Sequence, residues 1–192
     1  MRNFVNRFIG VCLLSLTVAS ANAADYVIDT KGAHAFVQFR VMHLGYSWLY
    51  GRFNDFSGEF SYDPASPEKA AITVDIQTPS VDSNHAERDK HLRGDKFLDV
   101  EQFPTAKFVS TRVEVVSEDK AKVYGNLTLK DVTKEIVLDV DRVGMGEDPW
   151  GGYRVGFEGR TKFRMKDFNI LRDLGPLSQD VEMILSVEGI KK

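Results

Sequence analysis

Residues 155–165 read VGFEGRTKFRM: every second side chain from Val155 to Met165 is apolar or small, and most positions between them are charged. A period of two is typical of a β-strand with one buried face. The same period recurs within residues 35–41, 56–62, 72–76, 123–129, 136–140 and 181–187. Together with residues 26–29 and 106–116, these segments give about nine candidate strands.

Short turns rich in Pro, Gly, Asp and Ser separate the strands, as in an antiparallel meander. They lie at residues 63–67, 117–120, 130–133 and 148–152. Helices do not alternate with the strands, which argues against a parallel sheet. We therefore expect an all-β fold, with the strands in a closed antiparallel barrel of about eight strands or in a sandwich.

Residues 82–104 differ from the rest, because they are charged and lack alternation. Asn84 is followed three residues later by Glu87, an arrangement that resembles a capping box. Gly94 is placed to end a helix. The segment predicts one short helix from about His85 to Arg93.

The first 23 residues have the composition of a secretory signal peptide. Arg2 and Arg7 precede an apolar run over residues 8–19, and Ala-Asn-Ala at 21–23 is a small-x-small cleavage site. The run is shorter than the roughly 20 residues that cross a bilayer; a retained N-terminal anchor is the alternative. We expect export to the periplasm and a single domain over residues 24–192.

Cleavage after Ala23 removes Cys12, the single cysteine of the chain. Without it, residues 24–192 have no disulfide, thiol nucleophile, iron–sulfur cluster, haem c attachment or thiolate zinc site. This part of the chain carries 28 acidic against 23 basic residues. An acidic balance argues against nucleic acid as a partner.

A barrel of about eight strands either fills its interior with side chains or holds one small ligand. Glycines alternate with aromatic residues here, as in FSGEF at 56–60 and VGFEG at 155–159. Such glycines leave room for an apolar ligand, but they also mark strand bends and bulges. Periodicity alone therefore leaves a packed core and a cavity both open.

Several runs of the sequence form one pattern when taken in order. The runs are HAFVQFRVMHLG at 34–45, GRF at 51–53, SVD at 80–82, RDKHLR at 88–93, FLDVEQFP at 97–104, GNLTL at 125–129, VTK at 132–134, DPWG at 148–151, GF at 156–157 and KDF at 166–168. Together they resemble the YceI-like family of lipocalin-like, polyisoprenoid-binding periplasmic proteins. The resemblance extends over residues 34–168, nearly all of the chain after the predicted signal peptide.

The resemblance implies an extended eight-stranded antiparallel barrel with a helix packed beside it and an elongated apolar pocket. The expected ligand is an amphiphile with a long isoprenoid tail, such as an isoprenoid quinone or a polyprenyl phosphate. The family brings no catalytic residues, and we expect neither a metal nor another cofactor. The expected role is transport, storage or sequestration of this lipid in the periplasm.

The candidate pocket-lining residues are apolar side chains on the predicted strands and the segments beside them. A register error of one residue would turn a whole strand's candidates to the outer face. The candidates are Val37, Phe39, Val41, Leu44, Trp48, Phe53, Phe56, Phe60, Ile76, Phe108, Leu127, Phe157, Phe163 and Leu185.

Three basic side chains near the predicted helix, Arg88, His91 and Arg93, are candidates for the polar head group of the lipid. The alternative is a solvated helix face with local ion pairs. Asp89 is better explained by holding Arg88 or a backbone amide. His85 and His91 point about 120° apart on a helix and cannot share a metal ion as a His-x-x-x-His pair does.

Two other functions remain as alternatives. A periplasmic enzyme would use His91, Asp89 or His43 as acid or base, and it predicts a histidine at the pocket wall bonded to a carboxylate. A filled-core interaction module predicts no continuous cavity. Transient contact with a membrane or a membrane protein, for which Trp150 is a candidate tip, and a homodimer are further expectations.

Overall fold

The computed structural model describes residues 23–192. It contains eleven strands, one α-helix and three short 3-10 segments, Pro67–Lys69, Thr78–Ser80 and Met165–Phe168. The predicted signal peptide lies outside the described residues, apart from Ala23. In chain order the elements are β1 (Ala24–Ile28), β2 (Phe36–His43), β3 (Ser47–Phe53), β4 (Phe56–Tyr62), β5 (Ala71–Gln77), β6 (Val81–Asp82), α1 (Ala86–Arg93), β7 (Thr105–Ser117), β8 (Lys120–Leu129), β9 (Val132–Glu147), β10 (Tyr153–Arg164) and β11 (Asp180–Lys191).

The first six strands are the halves of three longer, interrupted strands. β1 and β2 both pair with β11, since Ile28 lies opposite Gly189 and Phe36 opposite Ser186. On their other side, β1 pairs with β4 and β2 with β3, and these in turn pair with β5 and β6. The halves are separated by residues 29–35, 54–55 and 78–80.

Counted in this way, the sheet has eight antiparallel strands. β5 pairs with β7, β7 to β11 follow as a meander, and β11 returns to the β1–β2 strand. That last pairing closes the barrel and leaves the sheet without long free edges. The predicted closed barrel of about eight strands with one short helix is confirmed, and the sandwich alternative is wrong.

All nine predicted strands are present, and β3 and β6 are the two that alternation missed. β3 carries large side chains on both faces, with Leu49 half-buried in the wall and Trp48 and Tyr50 outside. Apolar residues on both faces abolish the period of two. β6 contains two residues, which is too short to show any period.

The helix α1 spans Ala86–Arg93, close to the predicted range. Its N-cap is His85, whose Nδ1 accepts a hydrogen bond from the Arg88 amide at 3.3 Å. The predicted capping role of Asn84 is wrong, because Asn84 is a left-handed residue just before the cap. Gly94 ends the helix as expected, and its amide donates to the His91 carbonyl at 3.0 Å.

Asp89 anchors α1 to the barrel. Its buried carboxylate accepts hydrogen bonds from the Ser83 amide at 2.8 Å and from the Ser83 hydroxyl. This structural role is the one preferred from the sequence. Within residues 23–192, the structure has no helix with the length and apolar character needed to span a bilayer.

Candidate ligand-binding site

An apolar cavity of about 630 Å³ extends through the inside of the barrel. We call the end near α1, the β2–β3 turn and the 165–179 loop the helix end. The opposite end, near the β4–β5 and β7–β8 turns, is the hairpin end. Side chains at both ends line the cavity, including Leu44 and Leu174 at the helix end and Pro67 and Ala121 at the hairpin end. The volume lies within the 300–1,000 Å³ that is usual for ligand pockets.

The inward faces of the strands supply most of the lining, because alternate side chains point into the barrel. Thirteen of the fourteen sequence-predicted lining positions border the cavity, and their contact with a ligand is still a prediction. They are Val37, Phe39, Val41, Leu44, Phe53, Phe56, Phe60, Ile76, Phe108, Leu127, Phe157, Phe163 and Leu185.

Trp48 is corrected to the outer face of the barrel. Its neighbour Leu49 lines the cavity, and successive side chains of a strand point to opposite faces. The guanidinium of Arg40 lies 4.0 Å from the centre of the indole ring. Trp48 therefore contributes to the outer surface of the barrel.

Some of the glycines that alternate with aromatic residues lie in contact with an aromatic ring on a neighbouring strand. A Cβ added at Gly51 would come within 2.3 Å of the Phe39 ring, and one added at Gly125 within 2.4 Å of the Phe108 ring. The tips of these two rings therefore occupy the space that a side chain at the glycine would fill. Gly159 differs, since its nearest neighbour, Leu185, would lie at an ordinary 3.4 Å.

Arg88 borders the cavity and Arg93 does not, and both arginines donate hydrogen bonds to residues 79–83. Arg88 donates to the Ser83 hydroxyl at 2.7 Å and to the Ser83 carbonyl at 2.6 Å. Arg93 donates to the carbonyls of Pro79 and Val81 at 2.8 and 2.7 Å, and it does not line the cavity. Both arginines thus fix the corner between β5 and α1, which corrects the head-group prediction for Arg93 and leaves Arg88 only partly available.

His91 and His43 lie at the cavity wall near the helix end. Within the described part of the chain, neither imidazole hydrogen-bonds to a carboxylate. The histidine that does so is His34, whose Nδ1 lies 3.0 Å from Asp29, and it does not line the cavity. Within residues 23–192, the cavity wall therefore has no histidine–carboxylate hydrogen bond of the kind that the enzyme alternative predicts.

Arg142 is a polar lining residue that the sequence analysis missed. It faces inward at the hairpin end, where its Nε donates to Asp119 at 2.9 Å and its Nη2 makes a second bond to the same carboxylate. Its Nη1 lies 3.5 Å from the Tyr62 hydroxyl. The bond to Asp119 raises the pKa of Arg142. The period of Ile136, Leu138 and Val140 continues to this position and could have identified it.

A second charged cluster lies outside the cavity, where residues 29–35 interrupt the first barrel strand. Arg154 donates to Asp29 at 2.8 Å and to Glu188 at 2.5 Å. Asp29 is 5% exposed, and hydrogen bonds from His34 and Arg154 lower its pKa to about 2. Asp29, His34 and Glu188 bring potential metal ligands within 4.8 Å of one another. Because Arg154 bonds both carboxylates, we assign the cluster a structural role.

Comparison with known proteins gives the family. The sequence pattern of the YceI-like domain matches residues 26–189. The chain belongs to the YceI-like family. This YceI-like chain is 56% identical over 177 residues to a UPF0312 protein of Azotobacter vinelandii, covering 92% of each chain. It is 58% identical over 176 residues to a UPF0312 protein of Serratia proteamaculans, covering 92% of this chain and 91% of that one.

Solved structures share the barrel of this YceI-like chain. A Campylobacter jejuni YceI protein superposes with a TM-score of 0.72 at 32% identity, over 79% of this chain and 90% of that one. BcnA of Burkholderia cenocepacia gives 0.74 at 20% identity, over 84% and 98%. A polyisoprenoid binding domain from Saccharophagus degradans gives 0.64 at 18% identity, over 88% and 99%. The last two comparisons show the fold alone.

Proposed function

We propose that this chain binds an amphiphilic isoprenoid lipid, an isoprenoid quinone or a polyprenyl phosphate, inside its barrel. We further propose that it transports, stores or sequesters this lipid in the periplasm. The observation that carries the proposal is the continuous apolar cavity of about 630 Å³. The filled-core alternative requires the barrel to have no such cavity.

The energetics favour an apolar tail as the occupant. Burying apolar surface yields about 25 cal/mol per Å², so several hundred Å² of tail yield on the order of 10 kcal/mol. That amount can offset the translational and rotational freedom that the ligand loses on binding. A polar ligand would find few partners along the strands, where the lining is aliphatic and aromatic.

Two further observations support binding as the function. The Saccharophagus degradans protein that shares this fold is described as a polyisoprenoid binding domain. The histidines at the cavity wall, His43 and His91, have no carboxylate partner within residues 23–192 to orient them for acid–base chemistry. Apart from binding, the Ala-Asn-Ala sequence at 21–23 is typical of a signal-peptidase site, which supports the proposed periplasmic location.

Gly159 allows a direct test of whether the tail enters the barrel. In Gly159→Leu, the new side chain starts among the cavity-lining residues Leu185 and Val140 and extends into the lumen. The matched control is Gly144→Leu, because Gly144 is exposed and a Cβ there meets nothing within 4 Å. Both variants add the same side chain, one inside the barrel and one outside.

The assay is equilibrium titration of the purified protein with a short-chain isoprenoid quinone and with the corresponding prenyl phosphate. We expect Gly159→Leu to bind roughly tenfold more weakly, since overpacking a site costs about 1–3 kcal/mol. Gly144→Leu should bind like the wild type. Equal affinities for all three proteins would contradict binding of the tail inside the cavity.

A further inference from the structure

We propose that Arg142 and Tyr62 form the head-group site of the cavity and that they select an uncharged oxygen acceptor over a phosphate. The inference rests on the proposed function and names the chemistry of its ligand. It places the head group at the hairpin end and the tail toward the helix end. This orientation is the reverse of the one that the basic residues of α1 suggested.

At one place in the cavity, the two side chains hold hydrogen-bond donors that have only weak acceptors or none among residues 23–192. A guanidinium carries five N–H groups, and Asp119 accepts from Nε and Nη2 of Arg142. Among residues 23–192, Nη1 donates only to the Tyr62 hydroxyl, at a long 3.5 Å, and to the Met145 sulfur, a weak acceptor, at 3.2 Å. The Tyr62 hydroxyl, in turn, has no acceptor for its own hydrogen among residues 23–192.

These donors are largely shielded from water, which strengthens a hydrogen bond that they donate to a ligand. Tyr62 is 7% exposed, and the side chain of Arg142 is 16% exposed. Both border the cavity, and the 3.5 Å between Nη1 and the hydroxyl allows one ligand oxygen to accept from both groups. A carbonyl or hydroxyl oxygen at the end of an apolar tail fits this geometry.

The charges around the site favour an uncharged head group. Asp119 already neutralises Arg142, and the carboxylate of Glu118 lies 3.8 Å from Nη2. Lys120 is paired with Asp141 at 2.5 Å. Two cations thus face three carboxylates, so that a phosphate would meet a net negative environment. A neutral carbonyl can accept from these weakly bonded donors without that repulsion.

The aromatic residues beside the site suit a flat, ring-shaped head group. The Phe157 ring lies edge-to-face with the Tyr62 ring at 5.2 Å and with the Phe60 ring at 5.7 Å. Phe157 pairs directly with Arg142 across β9 and β10. A quinone ring placed between these edges could direct its carbonyl toward Nη1 and the hydroxyl, whereas a phosphate gains little from aromatic edges.

The test compares ligands that share one short isoprenoid tail and end in a quinone, a phosphate or no head group. The informative variant is Tyr62→Phe, which keeps the ring and removes only the hydroxyl. Its matched control is Tyr124→Phe, because Tyr124 donates to Glu114 at 3.1 Å away from the cavity lining. A second variant, Arg142→Met, removes the cation and leaves Asp119 largely solvated.

We expect the wild type to bind the quinone more tightly than the phosphate or the bare hydrocarbon. Tyr62→Phe should weaken quinone binding about fivefold and Arg142→Met roughly tenfold or more, while hydrocarbon affinity is unchanged. Tyr124→Phe should match the wild type for all ligands.

The head-group inference is overturned if Tyr62→Phe and Arg142→Met keep the wild-type preference for the quinone over the hydrocarbon, or if the phosphate binds best to the wild type. Those outcomes leave the proposed function intact, because the tail still binds. If the wild type binds none of the three ligands, the proposed function and the inference both fail.

Discussion

Replacing the Asp29 carboxylate by an amide is expected to remove a pH-dependent part of the stability of the barrel. Asp29 lies at the interruption between β1 and β2, almost fully buried, where it accepts hydrogen bonds from His34, Arg154 and the Gly32 amide. The His34 and Arg154 bonds are the main reason for the low pKa, and burial opposes them.

The pKa of Asp29 gives the size and the sign of the effect. Folding lowers it from an ordinary value of 3.8 to about 2. One pKa unit corresponds to about 1.4 kcal/mol, so the ionised carboxylate contributes about 2 kcal/mol to the free energy of unfolding. Because the folded pKa is the lower one, this contribution is fully present above about pH 4 and is lost as the pH falls toward 2.

The measurement is equilibrium urea unfolding of wild type and Asp29→Asn, followed by circular dichroism from neutral pH to about pH 2. We expect the variant to be less stable by about 2 kcal/mol at neutral pH and the difference to disappear near pH 2. Asp75→Asn is the control, since Asp75 forms an exposed pair with Lys107 at 2.9 Å, which contributes little. A difference between wild type and Asp29→Asn that stays constant or grows as the pH falls would refute the reasoning.

Two further substitutions test the construction of the cavity. In Gly51→Ala, the new methyl group would displace the Phe39 ring into the lumen, so we expect a stability loss of about 1–3 kcal/mol in urea unfolding and weaker binding of a short-chain quinone. If Gly51→Ala had the stability and the quinone affinity of the wild type, this prediction would be wrong. In Arg88→Met, loss of the bonds to Ser83 should lower stability by about 1–3 kcal/mol without changing the preference for quinone over hydrocarbon. The control is Lys90→Met, which removes another cation of α1. A changed preference in Arg88→Met, but not in the control, would show that Arg88 contacts the head group.

The period of two was sufficient to predict most of the barrel, because most inward side chains are apolar and most outward ones are polar. It failed for β3, where Trp48 and Tyr50 on the outer face hide the alternation. The inward position of Arg142 on β9 was missed for a related reason. Arg142 follows Ile136, Leu138 and Val140 in phase, but a charged residue at an inward position looks like the end of the strand.

The partners of the charged residues were harder to predict than the strands. Two arginines close together, Arg88 and Arg93, are typical of a phosphate site. In the structure, however, they donate hydrogen bonds to backbone carbonyls of the chain reversal at residues 78–83. The backbone conformation that directs these carbonyls is set by tertiary packing and leaves no pattern in the sequence. The same applies to Arg154, whose carboxylate partners Asp29 and Glu188 come from opposite ends of the chain.

The most direct test of lipid binding is native mass spectrometry of the protein isolated gently from its native host, followed by extraction and identification of any bound lipid. We expect a chain that begins at Ala24 and carries one isoprenoid lipid, which a cavity of about 630 Å³ accommodates at least in part. The Gly159→Leu variant should be recovered largely empty. A wild-type protein that is empty when isolated, and stays empty when offered isoprenoid quinones and prenyl phosphates, would contradict the account.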